Sequence, residues 1–116
     1  MHVGFNQYHL SYELTGQIPD LDVIAQAIRD FPYVLWTVPN FRYKRAQELM
    51  HLTCGKIVEF NLNDSELVLW FQPIGLLGEK LVYEAGRATK PLRIQPLWHK
   101  DKAGVNTGLD AVVVSV

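Results

Sequence analysis

Two β-prone runs joined by three turn residues constrain this chain more than any other feature. From Lys56 to Leu62 the residues alternate, with Val58, Phe60 and Leu62 on one parity and Ile57, Glu59 and Asn61 on the other. Asn63-Asp64-Ser65 follows, and Glu66 to Gln72 returns through the apolar run Leu67-Val68-Leu69-Trp70-Phe71. Asn and Asp side chains bond to backbone groups two residues on and so favour a reversal. Runs of this kind at this separation predict an antiparallel hairpin. The same three residues match a glycosylation sequon, which the turn explains without a glycan.

The remaining punctuation supplies the partners. Residues 3–14 read as a strand in which Tyr8, Leu10, Tyr12 and Leu14 alternate with His9, Ser11 and Glu13. Val3 and Phe5 fall on the opposite parity, which places a bulge near Asn6-Gln7. Gly16 and Pro19 end the strand. Asp20 caps a helix over 21–31, with Leu21, Ile24, Ala25, Ile28 and Phe31 on one stripe and Asp22, Gln26, Arg29 and Asp30 opposite. Pro32 stops it. Tyr33 to Val38 is β-prone without alternation, the pattern of a central strand covered on both faces.

Asn40 and Gly55 bracket a second expected helix, with Ala46, Leu49, Met50 and Thr53 on one face and Lys44, Glu48 and His51 turned away. Pro73, Gly75 and Gly78 break the chain before Lys80 to Glu84, which reads as a strand. Pro91 to Lys100 is extended, with Leu92, Ile94 and Trp98 on one side and Arg93, Gln95 and His99 on the other. Asp101-Lys102-Ala103-Gly104 turns the chain into a final strand from Leu109 to Val116.

A chain of 116 residues is one domain, spanning 1–116. With 48% hydrophobic and 20% charged residues it has enough apolar material to fold. The element order implies an α+β fold: a largely antiparallel, or mixed, sheet of five to seven strands with two helices packed on one face. The other sheet face would carry Glu59, Asn61, Arg93, Gln95 and His99. Such a face is either plain solvent-exposed surface or a docking surface.

No apolar run approaches the ~20 residues that cross a bilayer. The opening MHVGFNQYHL lacks a charged and then apolar leader, and a single Cys54 excludes an internal disulfide. Together these point to the cytoplasm and away from a membrane. The net charge of −1 excludes a polybasic nucleic-acid binder, yet charge is segregated. Residues 1–40 carry net −3, 41–56 net +3, 57–86 net −4 and 87–116 net +3. The blocks form lobes if they cluster in space, and weak ion pairs if they interleave.

Most reactive chemistries find no pattern here. The four histidines, His2, His9, His51 and His99, and Cys54 show none of the short ligand spacings of zinc sites. No cofactor motif is present: the segment Gly75-Leu76-Leu77-Gly78-Glu79-Lys80 has the wrong spacing for a phosphate loop, and no Ser or Thr follows Lys80. Asp20 with Asp22 is explained by a helix start, and Asp64 with Glu66 by a turn. Cys54 would lie near a helix C-terminus, where the dipole disfavours a thiolate. A metal-independent nuclease would need histidines such as His9, His51 and His99 to converge with Arg42, Arg45, Arg93 or Lys100.

Binding has more support. Phe41-Arg42-Tyr43-Lys44-Arg45 interleaves rings with cations, and Trp98-His99-Lys100 does so again near Arg87, Lys90 and Arg93. The candidate binding residues are therefore Arg42, Tyr43, Arg45, Glu59, Asn61, Arg93, Gln95, Trp98, His99 and Lys100. Tyr8, Tyr12, Trp36 and Trp70 form a further candidate lining, for a small-molecule pocket. The expected function is a small interaction module, an inhibitor, neutralising partner or assembly subunit. Its partner would be another protein or a second copy, and its apolar terminal strand could pair at an edge. The alternative is a single-stranded nucleic acid binder, with rings stacking on bases and cations holding phosphates. No cofactor and no metal are expected.

Overall fold

The computed structural model describes residues 8–36, 52–87 and 92–115. Six strands and two helices occupy them: β1 (Tyr8–Glu13), α1 (Leu21–Asp30), β2 (Tyr33–Trp36), β3 (Thr53–Leu62), β4 (Glu66–Pro73), α2 (Gly75–Arg87), β5 (Arg93–Lys100) and β6 (Asn106–Ser115).

Local chemistry explains the elements that were legible. The Asp20 carboxylate accepts a hydrogen bond from the Asp22 N–H at 2.7 Å and so caps α1, which buries Ile24, Ala25 and Ile28. In the hairpin, Asn63 Oδ1 accepts from the Ser65 N–H, the Ser65 hydroxyl and the Glu66 N–H at 2.8, 2.7 and 2.9 Å. That turn sets Leu62 opposite Leu67 and Phe60 opposite Leu69. β2 lies between β3 and β6, and Val34 and Leu35, which face opposite ways, are both fully buried.

The sheet is not open. Its strands close in the order β1-β4-β3-β2-β6-β5 into a barrel. It is mixed: β2 runs parallel to β6, and β1 parallel to β5. Alternation explains the closure. Leu10, Leu69, Phe71, Ile57, Val34, Val112, Val114 and Ile94 come from all six strands and meet in one cluster. Closing the sheet buries that inner face against itself.

The helices do not share one face of a flat sheet. α1 packs against β6 and α2 against β3 and β4. They deliver Ile24, Ile28 and Leu81 into the same cluster. A second cluster, Leu35, Ala111 and Val113 with Phe31, Leu52 and Leu97, lies on the opposite face of β2 and β6.

Three segments depart from the sequence reading. Lys80 to Glu84 belongs to α2, not to a strand. Gly78 is no breaker there. A Cβ at Gly78 would lie 2.8 Å from the Cys54 carbonyl oxygen, so glycine lets the helix lie close on β3. The expected helix before Gly55 falls mostly outside the described residues. Its end is overturned, because Thr53, Cys54 and Gly55 open β3. Gly55 serves packing: a Cβ there would meet the buried Phe71 ring, 2.9 Å from Cε2 and closer still to Cδ2. The last strand starts earlier than expected, at Asn106. β6 is also no edge, since β2 and β5 flank it. The proposed bulge near Asn6-Gln7 lies outside the described residues. Among those residues no helix is long and apolar enough to cross a membrane.

Candidate binding cleft

The barrel is unevenly closed. β5 pairs with β6 along its whole length, from Arg93 opposite Ser115 to Lys100 opposite Asn106. It pairs with β1 at one position only, Ser11 with Arg93. β1 ends at Glu13 while β5 runs on to Lys100. From Ile94 onward, therefore, the other edge of β5 has no strand partner among the described residues. Pro96 lies in that stretch, and proline in a sheet belongs on strands with a free side because it has no N–H to donate.

A cleft of about 390 Å³ opens along this free edge, lined by Tyr12, Arg93, Ile94, Gln95, Pro96, Leu97 and Trp98. Its residues sort by the pleat. Ile94 is buried in the inner cluster, and Tyr12 and Trp98 pack against that cluster while half-buried. Arg93 and Gln95 are exposed on the outer side. Among the described residues no acid pairs with Arg93. The cleft thus has an aromatic floor and a polar, cationic rim.

Beyond the cleft, His99 Nδ1 lies 3.5 Å from Asp110 Oδ1. Partial burial holds the Asp110 carboxyl above the ordinary aspartate value, and the neighbouring His99, through its charge and a hydrogen bond, pulls the other way. Lys100 is exposed at the end of β5. Asp101 is occupied in the turn, where its carboxylate accepts from the Ala103 and Val105 N–H groups at 2.9 Å. Along β5 itself there are two permanent cations, Arg93 and Lys100, and no acid.

The ten candidate residues do not form one site. Arg93, Gln95 and Trp98 line the cleft, with His99 and Lys100 continuing along the same strand. Glu59 and Asn61 sit on β3, which two strands separate from β5 in either direction round the barrel. They are exposed, but barrel curvature turns them to the opposite wall, so the single polar face expected of an open sheet does not exist. Glu59 instead borders a smaller hollow of about 180 Å³, with Ile28, Arg29, Pro32, Ile57, Val58 and Phe60. The Arg29 guanidinium lies 5.8 Å from the centre of the Phe60 ring there. Arg42, Tyr43 and Arg45 lie outside the described residues.

The aromatic pocket of Tyr8, Tyr12, Trp36 and Trp70 is also not assembled. Trp70 alternates with the buried Leu69 and Phe71, so it faces outward, 5.3 Å from the His9 ring. Trp36 carries the Lys80 ammonium 5.3 Å from its ring centre. Tyr12 alone lines the cleft. The Tyr8 side chain and His51 are outside the described residues. His9 and His99 have separate neighbours, Trp70 and Asp110.

Cys54 is not beside a helix end. It is buried in β3, its thiol donates to the Val34 carbonyl at 3.3 Å, and burial pushes it up to about 12. The cleft residues missed in the sequence are Ile94, Pro96 and Leu97. Pro96 within an otherwise β-prone run was their available signal.

No family model matches the chain, and no curated protein or solved structure does either.

Proposed function

We propose that this protein is an interaction module and that it binds another polypeptide at the cleft beside β5. The observation that carries the reading is the edge of β5 that has no strand partner among the described residues and runs along a cleft with an aromatic floor. A strand edge open beside half-buried rings is what a polypeptide ligand can complete, by main-chain bonds and by apolar contact. Tyr, Trp and Arg are also the residue types that dominate interface energies.

Single-stranded nucleic acid is the competing ligand, favoured by one observation. Tyr12, Trp98 and Arg93 line the same cleft, and rings beside a guanidinium suit a base next to a phosphate.

Site-specific photo-crosslinking tests the reading. A photoreactive residue replacing Gln95 in the cleft, expressed in the native host, is expected to give a discrete protein adduct. The same residue at position 59, on the far wall, is expected to give none, and Arg93→Glu combined with the photoreactive residue at position 95 is expected to weaken the adduct. An adduct that nuclease digestion removes, or equal labelling from both positions, rejects a polypeptide partner at this site.

A further inference from the structure

The chemistry of the partner segment follows from how β5 presents itself. We propose that the free edge of β5 accepts an extended segment as a seventh strand, and that this segment alternates apolar residues with polar ones and carries carboxylates towards both ends. The proposal rests on the polypeptide-binding reading above and makes it specific.

Three observations carry it. First, among the described residues one side of β5 has no strand partner from Ile94 to Lys100: β1 pairs with it only at Ser11 opposite Arg93 and stops two residues further on, at Glu13. A strand laid there would continue the sheet in the slot that β1 leaves open. Second, the pleat separates two environments along that slot. Ile94, Trp98 and Tyr12 face or border the inner cluster, while Arg93 and Gln95 face solvent. Successive side chains of an added strand would meet these environments in turn, so its apolar residues must recur every second position. Third, β5 has Arg93 at one end, Lys100 at the other and no acid between. Seven residues at a rise of ~3.3 Å place the two cations roughly 23 Å apart, so carboxylates of a matching strand would stand about seven residues apart. The acids nearest to hand do not replace them: Asp101 is held by its own turn and Asp110 faces His99. Glu13, the last residue of β1, forms no ion pair with Arg93 among the described residues.

The test uses a fluorescein-labelled ten-residue peptide of alternating valine and threonine with a glutamate near each end, titrated by fluorescence anisotropy. Its counterpart carries lysines in place of the glutamates. The acidic peptide is expected to bind about tenfold more tightly, the product of two exposed ion pairs that each contribute about threefold. The double variant Arg93→Glu with Lys100→Glu is expected to invert that preference, a result that misfolding cannot produce. N-methylation of alternate peptide nitrogens on one parity is expected to abolish binding, and on the other parity to leave it, because only alternate N–H groups face the β5 edge.

Equal affinity for the two peptides, or equal effects of the two methylation parities, overturns the proposal. Failure of the acidic peptide while the photoreactive residue at position 95 still yields a specific protein adduct overturns the acidic strand and leaves polypeptide binding standing. Preference for a ten-residue oligothymidylate overturns both.

Discussion

Gly55 and Phe71 show how tightly single positions are specified. Phe71 is fully buried and leans over a glycine that has no side chain to obstruct it. Gly55→Ala is expected to destabilise the protein by about 1–3 kcal/mol, the range for overpacking a dense interior. Gly86→Ala is the control. Gly86 lies in α2 with nothing near a Cβ, so alanine there is expected to add about 0.5–1 kcal/mol. Urea midpoints of the two variants should move in opposite directions, and a matching loss in both would refute the packing account. Cys54 makes a second case at this scale. Its thiol is buried and held up at about 12, so it is expected to resist a soluble disulfide reagent at pH 8 until the protein unfolds. Reaction of the native protein at the rate of a free thiol would contradict the buried placement.

Elements were legible where a local rule had no competitor. Asp20 before an amphipathic stripe announces α1, and Asn63-Asp64-Ser65 between two apolar runs announces the β3–β4 hairpin. Asp20→Ala is expected to cost about 1 kcal/mol, measured as a fall in the denaturation midpoint. The elements misread are those where a glycine answers a tertiary demand. Gly78 looks like a helix breaker but allows α2 to lie against β3. Gly55 looks like a helix end but stands inside a strand under an aromatic ring. Neither neighbour is near in sequence, so no local pattern could reveal the reason. The β5 edge also belongs to this scale. Hydrogen exchange is expected to be slow at the amides of Val112 to Val114, where β6 is paired with both β2 and β5. It is expected to be faster at those β5 amides that face the open slot. Uniform protection across β5 would show that the slot is already filled.

At the scale of the whole molecule, segregated charge becomes partly spatial. The acidic block 57–86 lies on β3, β4 and α2, which are neighbours, while Arg93, Lys100 and Lys102 lie on β5 and the turn that follows it. The pH dependence of stability has one distinctive contribution. Asp110 is held above the ordinary value of 3.8, chiefly by burial. Such a carboxyl favours the folded state while protonated, and that contribution fades as the pH rises through the raised folded value. Asp110→Asn is therefore expected to gain stability relative to the parent between pH 4 and neutrality, read from urea midpoints at several pH values. A steady relative loss over that range would mean that the His99 contact outweighs desolvation.

What the amino-acid sequence determined by itself was the inventory: one α+β domain, its hairpin, its capped helix, a central strand and a cationic, aromatic stretch from Arg93 to Lys100. Those rest on contacts between near neighbours, which periodicity and turn chemistry record directly. Only the tertiary structure decided that the sheet closes, that Glu59 and Asn61 turn away from Arg93 and Gln95, and that β5, not the apolar terminal strand, has an edge without a strand partner among the described residues. These are outcomes of which strand ends lie side by side across the chain. Alternation says that a strand has an inside and an outside, but not which strand it will meet, nor where that pairing stops.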